Sequence, residues 1–223
     1  MAREVVVVSG VRTAIGTFGG SLKDVAPCEL GALVVREALA RAQVKGEEVG
    51  HVVFGHVINT EPRDMYLSRV AALDGGVPAE TPAFNVNRLC GSGLQAVVSA
   101  AQTILLGDVD VAIGGGAESM SRAPYLAPAA RWGSRMGDAK LVDMMLGALH
   151  DPFHAIHMGV TAENVARNTA SAANCRIRPR WNRTGVRRAP SRPATSRTRS
   201  SRSRSSRARA TCSSIPTSMS AMT

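Results

Sequence analysis

The chain has 223 residues, 27 basic against 17 acidic, and a net charge of +10. A surplus of that size ordinarily points to nucleic acid or an acidic membrane surface. It is confined to one end, however: after Ala166 there are 14 arginines and no lysine, aspartate or glutamate, which leaves the first 166 residues with 13 basic and 17 acidic side chains, a net of −4.

The body is therefore a mildly acidic, Gly- and Ala-rich globular sequence, long enough for one sizeable core. "EVVVVSG" is far shorter than the apolar region of a signal peptide or a membrane span, so neither targeting nor membrane insertion is expected. Cys28, Cys90, Cys175 and Cys212 lie far apart and fit neither a zinc spacing nor a compact disulfide framework. A reducing, cytoplasmic setting follows.

In chain order, "REVVVVSG" is a β-branched run closed by glycine and predicts a buried strand. "CELGALVVREALARAQ" places Leu30, Leu33, Val34, Ala38 and Leu39 on a helical period. "HVVFGHVI" predicts a second strand, and "TPAFNVN", with Pro82 at its entry, a third short extended piece. In "CGSGLQAVVSAAQTILLGD", Leu94, Val97, Val98, Ala101, Ile104 and Leu105 mark a helix that Gly107 ends. Its other face is mostly Ala and Ser, so this helix is expected to be buried on every side. "VDVAIGGGAES" lacks alternation, as a strand covered on both faces should. Strands alternating with helices predict an α/β layered fold. From Ala123 to Phe153 the pattern loosens into a loop region with one helix around "LVDMMLGAL", and beyond Ala166 no period remains, which predicts a disordered tail.

The chemically loaded stretch is "NRLCGSGLQAVVSAAQ". Cys90 falls at a strand-to-helix turn, with Gly91 and Gly93 allowing a tight bend. A thiol there faces unpaired N–H groups and the positive end of the helix dipole, which favour the thiolate. The same N–H groups can supply half of an oxyanion hole, so the position suits covalent acyl-thioester chemistry. On these residues alone a second reading stays open, because free cysteine is among the most buried residue types and packs well at helix starts.

The wider sequence resembles the thiolase family. "NRLCGSGLQA" resembles its N-terminal active-site signature, with Cys90 at the acylated cysteine; "VVSGVRTAIGTFGGSLKD" resembles its opening strand and loop, "DVAIGGGAESMSRAPY" its glycine-rich strand, and "HMGVTAENVA" a later motif. The likeness runs from Val5 to Ala166, in the right order, and is strongest to the bacterial short-chain β-ketothiolases and acetyl-CoA acetyltransferases. It implies a layered α/β/α/β/α fold of two similar halves, of which this chain holds the first: a core over 1–122 and the start of a loop domain over 123–166. It further implies acetyl-CoA and other acyl-CoA thioesters as substrates, a dimer or tetramer, and no separate cofactor. Leu149, His157 and Met158 match family positions lining the acyl and pantetheine pocket.

In that family a histidine in a Gly-His-Pro motif activates the first cysteine, and a second cysteine in a Cys-x-Gly motif moves the proton for carbon–carbon bond making or breaking. Neither motif occurs in this sequence. Residues 167–223 account for the gap as a frame-shifted reading. Written in plausible codons and stepped back by one base, "NTASAANCRIRPRWNRTGVR" becomes "EYGISRELQDPAALESHRRA", which resembles the family's continuation. On this reading the literal chain is truncated and turns over poorly or not at all.

"HDPFHAIH" gathers His150, His154 and His157 around Asp151, but Pro152 interrupts any helix there and the resemblance gives His157 a pocket role instead of a metal. "GGGAES" lacks the Lys-Ser/Thr of a phosphate loop, and Glu118 within it is expected to satisfy backbone groups, not to act as a base. The alternative function, from another class, is a non-catalytic α/β module whose basic tail binds RNA through salt-sensitive phosphate contacts; specific nucleic-acid binding is not expected.

Overall fold

A three-stranded parallel sheet positions the Cys90 turn. In the computed structural model, which describes residues 3–168, β1 (His51–Gly55) lies between β2 (Ala83–Val86) and β3 (Ala112–Gly116). Both pairings are parallel, with Val52 opposite Ala83 and Ile113, and Gly55 opposite Val86 and Gly116. Parallel neighbours require crossovers, and helices supply them: α2 (Leu67–Asp74) between β1 and β2, and α3 (Ser92–Leu106) between β2 and β3.

The side-chain alternation of β1 sorts the layers. Val52 and Phe54 face one side, packing with Cys28 and Val35 of α1 (Pro27–Ala42) and Leu67 and Ala71 of α2. Val53 faces the other, against Ala96 and Ala100 of α3. Each fully buried Val or Phe contributes about 1.5–3 kcal/mol. Close approach of α1 to α2 depends on Gly31, where an added Cβ would stand 2.9 Å from Ala71 Cβ. α1 starts on Pro27, which gives up no needed hydrogen bond at the first helical position. It ends on Gln43 in the left-handed region at φ 55°, whose N–H caps the Ala40 and Leu39 carbonyls.

Beyond the sheet, β4 (Tyr125–Leu126) and β5 (Val142–Asp143) pair antiparallel, and α4 (Met144–Ala148) follows, its N-terminus capped by the Asp143 carboxylate accepting from the Met145 and Leu146 amides. This single short helix stands where "LVDMMLGAL" predicts one. The chain divides into two compact units between His157 and Met158. Among the described residues the second unit holds α5 (Met158–Asn168), which continues through Arg167 and Asn168. The expected disordered tail lies, from 169 onward, outside the described residues.

The α/β layered architecture is as expected, with two corrections. "REVVVVSG" forms no strand, and Val6, Val7 and Val8 are exposed. A β-branched run gives propensity, but a strand also needs a ladder partner, and none lies beside it among the described residues. The second correction concerns α3, which is buried on one face only. Ser92, Ala96 and Ala100 are covered by the sheet, whereas Leu94 is 73% and Leu106 77% exposed. Apolar composition predicted burial all round, but the described residues supply a cover for only one side.

Candidate active site

The turn that carries Cys90 is built from its own residues. After β2, the Asn87 side chain accepts a hydrogen bond from the Leu89 amide at 3.0 Å. Ser92 Oγ accepts from the Arg88 amide at 2.8 Å and donates to the Leu89 carbonyl at 2.6 Å, while the Gly91 amide donates to the Arg88 carbonyl. Leu89 is thereby held in the left-handed region at φ 48°. A non-glycine residue there is strained, and such strain is characteristic of sites that present a side chain.

The bend exposes Cys90 at the head of α3, whose first turn has no side-chain cap on its free N–H groups. Cys90 lines a cleft of about 400 Å³ with Leu89, Ser92 and Gly93 of its own turn, Val57, Ala117 and Glu118 just past the ends of β1 and β3, and Ala148 and Leu149 at the C-terminal end of α4. Leu149, one of the expected pocket residues, thus shares the cleft with Cys90. His157 does not line it; its ring instead meets His150 edge-on at 5.5 Å. Met158 belongs to the second unit. Asp151 serves its own turn, accepting from the Phe153 and His154 amides, and His150 Nδ1 lies 2.6 Å from the Leu146 carbonyl.

The sheet must come very close to α3 beneath this turn. A Cβ on Gly55 would sit 2.5 Å from the Ser92 carbonyl carbon and 2.6 Å from Gly93 N. Gly55→Ala should therefore cost about 1–3 kcal/mol by overpacking, read as a lowered urea midpoint with an unchanged slope.

Sequence reasoning missed a buried polar cluster behind the cleft. Asp64, fully buried, accepts from Thr60 N and Thr60 Oγ1, each at 2.7 Å, from Glu61 N at 3.2 Å and from Cys28 Sγ at 3.4 Å. Burial alone pushes its carboxyl upward, but these donors together outweigh burial and hold it below the ordinary carboxylate range. Cys28 moves the other way, pushed up to about 12 by burial first and then by the neighbouring Asp64 carboxylate. Ser68 of α2 links the strands by accepting from Phe54 N and donating to the Phe84 carbonyl. The Thr60-to-Asp64 spacing at a turn was the available signal for this cluster. Its burial depends on α1, which the local sequence does not show.

The two described cysteines are thus opposites, one exposed at a helix head and one buried as the neutral thiol. Iodoacetamide should label Cys90 in the native protein and reach Cys28 only on unfolding, as peptide mass mapping before and after denaturant would show. Glu118 is committed to the backbone, accepting from Val57 N at 2.9 Å and Ile58 N at 3.3 Å, which makes it a brace between strand ends.

Comparison with known proteins agrees with this geometry. Residues 5–173 match the family described as thiolase, N-terminal domain. The chain is 87% identical over 167 residues to beta-ketothiolase BktB of Cupriavidus necator, a match covering 75% of this chain and 42% of that protein. It is 50% identical over 165 residues to an acetyl-CoA acetyltransferase of the same organism, covering 74% and 42%. The crystal structure of the Bacillus anthracis acetyl-CoA acetyltransferase superimposes with a TM-score of 0.73 at 40% identity, covering 77% of this chain and 43% of that one. The chain therefore spans less than half the length of the relatives it matches. An exposed cysteine on a glycine-bounded turn, a parallel sheet beneath it and a family match across nearly all the described residues converge: this chain belongs to the thiolase family, through its N-terminal domain.

Proposed function

We propose that the chain carries the acyl-accepting part of a thiolase-type acyltransferase acting on coenzyme A thioesters, in the cytoplasm and as part of a homo-oligomer. Cys90 sulfur attacks the thioester carbonyl; the new S–C bond forms as the bond to coenzyme A sulfur breaks, and coenzyme A leaves with a proton as the free thiol. The enolate of acetyl-CoA then attacks the acyl carbonyl, the bond to Cys90 sulfur breaking as the 3-ketoacyl-CoA forms and Cys90 leaving as the thiolate; in the degradative direction the sulfur of coenzyme A attacks instead and releases Cys90 in the same way. The observation that supports this best is the exposed Cys90 thiol at the uncapped head of α3, opening on an apolar-walled cleft. Gly91 N and Ser92 N are taken up by the turn itself, so the oxyanion of the tetrahedral intermediate falls to the remaining amides at the head of α3. Glu118, engaged by two amides, braces the wall. No cofactor is needed, since the thioester itself is the activated reagent.

With no Gly-His-Pro and no Cys-x-Gly in its sequence, the 223-residue chain by itself should stop at the acyl-enzyme. Loss of a general base costs on the order of 10²–10⁴-fold. The test is to mix the chain with acetyl-CoA and titrate released coenzyme A. A slow release reaching about one equivalent per chain, the stoichiometry of a covalent acyl-enzyme, is expected. Absence of any release above the buffer rate would contradict the proposal.

A further inference from the structure

We infer that His56 is a positioning residue for Cys90, holding the two strand ends on which the Cys90 turn rests; the inference builds on the acyl-transfer reading above. His56 follows the last residue of β1, and its side chain is 2% exposed. Nδ1 lies 2.8 Å from the Ala117 carbonyl oxygen. A carbonyl can only accept, so Nδ1 carries the hydrogen and donates. Nε2 is buried with no hydrogen-bond partner, 3.9 Å from Asp64 Oδ2. Leaving that nitrogen unpaired has a cost that an apolar side chain of similar size would avoid. The retained bond, from Nδ1 to Ala117, is what the imidazole supplies in return.

That bond falls where the ladder runs out. The last pair of the β1–β3 register is Gly55 with Gly116, followed by the Ala117 amide donating to the Gly55 carbonyl at 3.1 Å. His56 adds one further link across the same two chains, from a side chain. The linked ends are the floor of the site: Gly55 presses on Ser92 and Gly93, and an added Cβ on Gly116 would lie 3.5 Å from Gly93 Cα. Val57, Ala117 and Glu118, which flank His56 and its acceptor, line the cleft with Cys90. Glu118 Oε1 lies 3.7 Å from Nδ1 on the side facing the cleft, and Asp64 faces the opposite nitrogen. A slack joint between the strand ends would pass directly into the Cys90 turn through Gly55, which has no room even for a methyl group against Ser92 and Gly93.

The isosteric amides separate the two ring nitrogens. His56→Asn places an N–H near the position of Nδ1, His56→Gln places one near Nε2, and His56→Leu removes both. The readout is the iodoacetamide rate at Cys90 in the full chain, followed by peptide mass from neutral to mildly alkaline pH. His56→Leu and His56→Gln should slow the reaction about three- to tenfold, the worth of one lost hydrogen bond, and displace its pH profile. His56→Asn should restore both rate and profile. Rescue by Gln and not Asn, an equal slowing of all three, or no change in any of them would overturn the inference. If His56→Leu fails to fold, the Asn and Gln variants still decide. Alkylation does not depend on acyl transfer, so failure of the acyl-accepting role would appear as alkylation without acylation, leaving this result separately readable.

Discussion

Asp64→Ala should destabilise the protein by about 3–5 kcal/mol, a large part of a typical margin of about 5–15 kcal/mol. The carboxylate is fully buried and collects the Thr60 amide, the Thr60 hydroxyl and the Glu61 amide. Truncation leaves those donors without partners away from water. Asp64→Asn keeps the shape and one acceptor oxygen and should cost less. The sign of the pH dependence follows from the lowered carboxyl. Its stabilisation is present above the unfolded value of about 4 and is lost as pH falls through the folded value. Cys28 works on the alkaline side. With its thiol pushed up to about 12, the folded state keeps a proton that the unfolded chain releases above about 8.5, so stability falls as pH rises between those values. Urea titrations across pH should show both limbs, the acid one missing in Asp64→Ala and the alkaline one missing in Cys28→Ala.

Cys90→Ser should reduce acetyl-dependent release of coenzyme A by on the order of 10³-fold or more, as expected when a nucleophile is removed. The hydroxyl is almost wholly protonated at neutral pH, and helix-head amides cannot make up that difference. Cys28→Ser should leave the release rate unchanged at matched folded fraction, because the Cys28 thiol is buried against Asp64 and not in the cleft. Stopped-assay thiol titration of both variants beside the parent chain checks the pair. Loss in Cys28→Ser with retention in Cys90→Ser would reverse the assignment of the two thiols.

Much of this site is legible in the sequence because its determinants are local. Gly91 and Gly93 announce the bend, the apolar period from Leu94 to Leu105 announces the helix, and Gly107 ends it at φ 85°. Those signals set Cys90 at the helix head, and its exposure there decides against the packing role that the residues alone left open. Leu149 comes into the cleft directly after α4, the helix that "LVDMMLGAL" predicts. What stayed hidden depends on tertiary partners. Val6 to Val8 look like a strand by composition, yet strand formation is decided by a neighbour's free edge. α2 offers Leu67, Val70 and Ala71 at helical spacing but carries Ser68 and Arg69 among them, and Ser68 is useful only because Phe54 and Phe84 come to its hydroxyl. His56 falls inside the predicted strand "HVVFGHVI", and neither it nor Asp64 carries a local sign of burial. Their burial follows from partners distant in sequence, Ala117 past β3 for His56 and Cys28 of α1 for Asp64, and no single segment contains that information.

The most direct measurement is peptide mapping after exposure of the chain to isotopically labelled acetyl-CoA. The account predicts label on the peptide containing Cys90, removed by hydroxylamine as a thioester should be, and none on the peptide containing Cys28. Label distributed over lysines, or an unlabelled Cys90 peptide from folded protein that still releases coenzyme A, would contradict it.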